Sequence, residues 1–170
     1  MSMQIKFTNY KDGLHKFVFE TDVKKLGVDN KFAGSVLLNC EMDKSSTQIV
    51  LNCKLQITAK RSCDRCNAES EDIIETDFKN IYFLTSNRSN ADEDESGIYY
   101  LTSDDDKIDL SSDTIENALL TVPMKVLCKE DCKGLCSICG VNKNEKECDC
   151  VVDTSNPVWE KLLKLKGKLN

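Results

Sequence analysis

Histidine is nearly missing from this chain: His15 stands alone among 170 residues. With one imidazole, isolated in the sequence, no Ser/His/Asp set is evident, and any metal sites are expected to be all-sulfur. Long apolar runs are also missing, so no segment reaches the roughly 20 apolar residues that a membrane-spanning helix needs. The opening MSMQIKFTNYKDG has no basic segment followed by an apolar core, so it does not read as a signal peptide. The expectation is a cytoplasmic protein, where thiols stay reduced and disulfides are rare. Net positive charge is lacking too: the formal charge is −6. The deficit is local, because residues 92–116 hold ten acidic groups and one lysine, while residues 156–170 hold four lysines and one glutamate. The remainder is neutral and leaves basic patches open.

Cysteine, by contrast, is abundant, with ten in the chain. In a reducing compartment they read as metal ligands or redox groups rather than staples. Six lie in CKEDCKGLCSICGVNKNEKECDC, as Cys128, Cys132, Cys136, Cys139, Cys148 and Cys150, and Cys63 and Cys66 form a separate Cys-x-x-Cys pair. Zinc takes four thiolates in a tetrahedron, and a Cys-x-x-Cys turn sets two sulfurs on one side of the ion. Cys136 and Cys139, followed by Gly140, form such a knuckle, and Cys148 and Cys150 can complete it. Cys63, Cys66, Cys128 and Cys132 then make a second set. The alternative is one four-cysteine site with the other thiols free. Four thiolates on a dication leave a formal −2, which Arg65, Lys129 and Lys133 can offset. The spacing does not match the common ferredoxin iron–sulfur patterns. Cys40 and Cys53 fall on apolar faces of strands and read as small core residues, with a redox pair or extra ligands as the alternative.

The order of the chain points to an α+β fold. An antiparallel β-rich body, an open barrel or a twisted sheet, carries a helix and a C-terminal all-cysteine zinc-binding segment. Short strands are predicted at 4–8, 15–20 and 98–101. Alternation at Val36, Leu38 and Cys40, and at Ile49, Leu51, Cys53, Leu55 and Ile57, predicts strands 32–40 and 47–60, joined by a turn at 43–46. The second delivers the chain to Cys63, and 71–84 reads as a return strand. Residues 85–97 form an acidic loop with no apolar period. A helix is predicted over about 113–122, with Asp113 and Glu116 as a capping box and Pro123 as its end. Asn156 and Pro157 open a basic terminal helix. The predicted division is a body at 1–122 and a metal-binding segment at 123–170, clamped to the body through Cys63 and Cys66.

Cys63-Asp64-Arg65-Cys66 after a long alternating strand, a helix ending at Val122-Pro123, the run from Leu127-Cys128 through Cys132-Lys133-Gly134-Leu135-Cys136, Cys139-Gly140 and Asn142, and then Cys148-x-Cys150 together resemble the YceD family of large ribosomal RNA subunit accumulation proteins. The resemblance spans about residues 30–165. It implies a non-catalytic cytosolic factor that promotes synthesis, processing or stability of large-subunit ribosomal RNA. Its expected partner is that RNA or a ribosomal precursor particle, with a ribosomal protein as a further candidate. Under this reading Lys60, Arg61, Arg65, Lys125, Lys129, Lys133, Lys143 and Lys146 are the candidate phosphate contacts. Lys161, Lys164 and Lys168 could extend them.

Two competing classes are weaker. A redox-switched zinc protein or chaperone would use the same thiols, releasing zinc on oxidation. A thiol oxidoreductase would need Cys63-x-x-Cys66 in a βα unit, whereas it follows a β-strand. All-sulfur zinc also leaves no open position for a catalytic water.

Overall fold

The computed structural model describes residues 3–85 and 97–151. Among these residues seven strands and one α-helix follow in order: β1 (Gln4–Ile5), β2 (Gly13–Asp22), β3 (Phe32–Lys44), β4 (Gln48–Ser62), β5 (Glu69–Leu84), β6 (Ile98–Leu101), β7 (Ile108–Asp109) and α1 (Ser111–Thr121). They divide into two compact units. The first is Met1–Arg61 with Glu69–Val126, and the second is Ser62–Ala68 with Leu127–Asn170, each in its described part. The expected acidic loop lies outside the described residues except at its ends, and the expected terminal helix lies wholly outside them.

The first unit is built on one sheet of five strands in the order β2-β3-β4-β5-β6, beside a two-stranded pair of β1 and β7. The sheet is an open row, and no barrel closure is seen among the described residues. One part of the expectation needs correcting: β6 runs parallel to β5, with Ile81 opposite Ile98 and Leu84 opposite Leu101. Sequence alternation marks a strand but not its direction. The alternating residues bury one face, as expected. Val36, Leu38, Ile49, Leu51 and Leu55 are all at 0% exposure, with Leu38 opposite Leu55 across the β3–β4 ladder. At the hairpin turn, the Ser45 backbone N–H donates to the Gln48 carbonyl at 2.9 Å.

Cys40 and Cys53 do join this core, but not as free thiols. They sit opposite one another in register and are linked by a disulfide. The expectation that no cysteine serves as a staple is therefore overturned. The cause is register: directly opposed residues on one face bring their Cβ atoms close enough to bridge.

The capping-box reading of α1 also fails. Leu110 occupies the cap position without a side-chain bond, and Asp109 Oδ1 accepts from the Ser111 N–H at 2.9 Å instead. Asp113 faces the sheet. It accepts from Nδ2 of the buried Asn80 at 2.9 Å and from the Tyr99 hydroxyl. Asn80 also donates to the Tyr82 hydroxyl at 3.2 Å. Burial, then the hydrogen bond to Asp113, pushes the Tyr99 phenol up. This network gives partners to polar groups that would be costly to bury alone. The helix ends at Val122, just before Pro123, as expected.

Candidate metal centres

The second unit takes Ser62–Ala68 from the connection between β4 and β5. There the Asn67 N–H donates to the Cys63 carbonyl at 2.8 Å, and Asn67 takes a left-handed φ of 55°. The same turn recurs at Cys136: the Gly140 N–H donates to the Cys136 carbonyl at 2.9 Å, with Gly140 at φ 73°. Asparagine and glycine are the residues that take this conformation most cheaply. Both Cys-x-x-Cys pairs are thus folded as the same knuckle, with Asn67 in the role of Gly140.

Two groups of four sulfurs result: Cys63 with Cys66, Cys128 and Cys132, and Cys136 with Cys139, Cys148 and Cys150. Within each group the sulfurs lie within 4.8 Å of one another. Cys63 Sγ is 3.8 Å from Cys132 Sγ, and Cys66 Sγ is 3.5 Å from Cys128 Sγ. A tetrahedral zinc with Zn–S bonds of about 2.3 Å has an S···S edge of about 3.8 Å. These sulfurs therefore have the spacing that a four-thiolate metal site needs. Either group could hold a metal ion.

The thiol electrostatics agree with shared charge. The Cys63 thiol is lowered to about 6, chiefly by a backbone hydrogen bond from Cys128 and others from Arg65 and Cys66. Cys136 is likewise lowered to about 6, by backbone hydrogen bonds from Cys139 and Ile138. Cys128 is pushed up to about 12, first by its bonds to Cys132 and Cys66. Cys150 is pushed up to about 12, first by Cys139 and then by burial. Cys132 is lowered as well, and the thiolates that form readily in each group oppose ionisation of their neighbours. A bound dication removes that opposition, and binding it releases protons.

Two residues beyond the ligands shape the first centre. Gly134 lies at φ 74°, and a Cβ there would come within 3.0 Å of the Arg65 carbonyl oxygen. That carbonyl accepts from the Leu135 N–H at 2.9 Å, so the close approach laces the Cys128–Cys136 run to the first knuckle. Asn144 is the residue that sequence reasoning missed. Its Oδ1 accepts from the Lys133 N–H at 2.9 Å, and its Nδ2 lies 3.3 Å from Cys132 Sγ. It also donates to Asn142 Oδ1 at 2.8 Å. A side-chain amide donating to a ligand sulfur orients it and spreads its charge. The only signal for it in the sequence was its place in the loop between the ligand pairs.

The candidate phosphate contacts are a mixed set. Lys60 Nζ donates to the Asp29 carbonyl at 2.7 Å. Arg61 pairs with Asp72 at 3.7 Å, with 18% of its side chain exposed. Arg65 donates to the Cys132 carbonyl at 2.9 Å. These three are occupied within the fold. Lys125, Lys129, Lys133 and Lys146 are exposed and Lys143 is half-buried, while Lys161, Lys164 and Lys168 lie outside the described residues. Residues 62–68 and 127–151 carry five cations against six carboxylates, and each filled four-thiolate centre would add a formal −2. This part of the protein is acidic overall.

A β-sheet protein with two four-cysteine centres in a separate small unit is the class defined so far. Residues 51–166 match the family model described as large ribosomal RNA subunit accumulation protein YceD. The chain belongs to the YceD family. No curated protein matches it, and no solved structure does.

Proposed function

We propose that this protein is a non-catalytic factor for the accumulation of large-subunit ribosomal RNA, acting in the cytoplasm. In this reading its second unit is held in shape by two zinc ions and touches the RNA or a ribosomal precursor. The observation that carries the reading is the convergence of eight cysteines into two groups of four at metal-ligand spacing, in a chain of this family. No helix among the described residues is long and apolar enough to cross a membrane.

Cys63, Cys66, Cys128 and Cys132 would hold one ion, and Cys136, Cys139, Cys148 and Cys150 the other. Bound zinc supplies cross-links that close the unit. The chain's own groups do the rest: the knuckle N–H groups and Asn144 hold the sulfurs in place. Lys60, Arg61 and Arg65 serve the fold and Lys125 belongs to the first unit, which leaves Lys129, Lys133, Lys143 and Lys146 as the phosphate contacts. Because the surroundings are acidic, contact is made by discrete lysines rather than by a broad basic surface.

The test is binding to large-subunit ribosomal RNA across a salt series. With four contacting lysines on single-stranded RNA, log K should fall against log salt with a slope no steeper than about −2.8. Replacing Lys129 and Lys133 by alanine should reduce that slope by about 1.4. Absent binding, or binding that ignores salt, would contradict phosphate contact.

A further inference from the structure

β2 stands at one end of the five-stranded sheet, so among the described residues no strand lies along its outer edge. It pairs with β3 over ten residues without a register shift, from Gly13 opposite Lys44 to Asp22 opposite Ser35. An edge is commonly protected by a bulge, a proline or shortness. β2 has none of these; its protection is charge, at Lys16, Glu20 and Asp22, and beside those charges two large apolar side chains stand on its open face, Leu14 at 67% and Val18 at 68% exposure.

The sequence of this edge is complementary to itself. In an antiparallel pair of identical strands, a two-fold axis must pass through a residue if each side chain is to meet one from the same face. With the axis at Val18, Val18 meets the second copy's Val18. Phe17 then meets Phe19 of the second copy, Lys16 meets its Glu20, and at the strand ends Leu14 meets its Asp22, each pair occurring twice. Moving the axis to Phe17 sets Lys16 against valine and leaves no Lys–Glu pair. Moving it to Phe19 pairs Lys16 with Asp22 but sets Val18 against glutamate and loses the Val–Val contact. Only the Val18 register gives two Lys–Glu pairs, a Val–Val contact and two aromatic pairs together.

The partly buried faces join in the same register. Phe17 and Phe19 are stacked at 6.3 Å, and Phe17 lines one end of a cavity of about 600 Å³ that runs across to Phe78 on β5. A strand added at the β2 edge would extend that wall past Phe17. Lys16 already reaches Glu41 at 3.5 Å, with 81% of its side chain exposed, so it lies between that carboxylate and the place the second Glu20 would take.

We infer that two copies of this chain associate through β2, antiparallel and centred on Val18, to make one continuous ten-stranded sheet. This stands apart from the RNA reading, since it uses no residue of the cysteine groups and none of the candidate phosphate contacts.

Sedimentation equilibrium of the full chain, from micromolar to near-millimolar concentration, tests it. The mass should climb from the 19.2 kDa of one chain toward twice that value. Val18→Lys places two ammonium groups face to face at the axis and should weaken association by about tenfold or more. Val18 is exposed, so the monomer should keep its circular dichroism spectrum. Lys16→Glu alone should weaken association similarly, and adding Glu20→Lys should restore it to within a fewfold of the unaltered protein. A monomer at every concentration overturns the inference. So does a dimer indifferent to Val18→Lys, or a charge reversal that its partner reversal fails to rescue.

Discussion

Serine at position 63 is expected to cost the protein one metal ion per chain and to loosen one stretch of structure without unfolding the rest. Cys63 lies 3.8 Å from Cys132 and starts the knuckle that Asn67 closes. A neutral hydroxyl is a poor zinc ligand, so three sulfurs remain where four are needed. Apparent binding free energy at a structural zinc site of this kind is on the order of 10–16 kcal/mol and is spent on folding, so losing the ion releases what it ordered. Hydrogen-exchange protection should fall at the Asn67, Cys132 and Leu135 amides. The second knuckle should stay protected at Cys136 and Gly140, whose N–H bonds lie within that knuckle and its loop. Cys148→Ser should do the reverse. Asn144→Ala keeps all four ligands of the first centre but removes the donor to Cys132 Sγ. It should weaken metal binding there by about 10–100-fold, as outer-shell changes do.

Leu55→Ala should be among the most destabilising single changes in the first unit. Leu55 lies in the middle of β4, at 0% exposure, opposite Leu38, which is also at 0%. Truncation removes apolar contact and leaves a cavity between two paired strands, at a cost of about 2–5 kcal/mol. Against a total stability of about 5–15 kcal/mol, that is a large fraction. The urea midpoint, followed by circular dichroism, should fall accordingly. Asn52→Ala, on the exposed face of the same strand, should shift stability by no more than about 0.5 kcal/mol. Equal effects at the two positions would mean that β4 does not bury the face assigned to it.

The parts of the fold that were legible in the sequence share one cause. Ile49 through Ile57 alternate with polar residues because one face of β4 is buried, and that period survives without any knowledge of neighbours. The eight cluster cysteines were legible because ligand spacing is local within each pair. Gly140 was legible because the residue after a knuckle needs a left-handed backbone; Asn67, in the same conformation, was not. What stayed hidden depends on partners distant in the chain. The Cys40–Cys53 bond exists because the β3–β4 register puts those residues opposite each other, and alternation alone does not set register. Asp113 looked like a helix cap until Asn80 and Tyr99, from two other strands, claimed its carboxylate. The parallel pairing of β5 with β6 depends on a connection whose sequence carries no directional signal. Asn144 gave no sign of its bond to Cys132, because an asparagine in a polar loop is ordinarily a turn residue.

The grouping of the cysteines is the centre of the account, and counting metal in the intact protein tests it most directly. Native mass spectrometry of the chain purified without chelator should show two zinc ions per chain. It should show one in Cys63→Ser, one in Cys148→Ser, and none when both changes are combined. A protein that holds no metal, or single variants that each lose all of it, would contradict two independent four-cysteine centres.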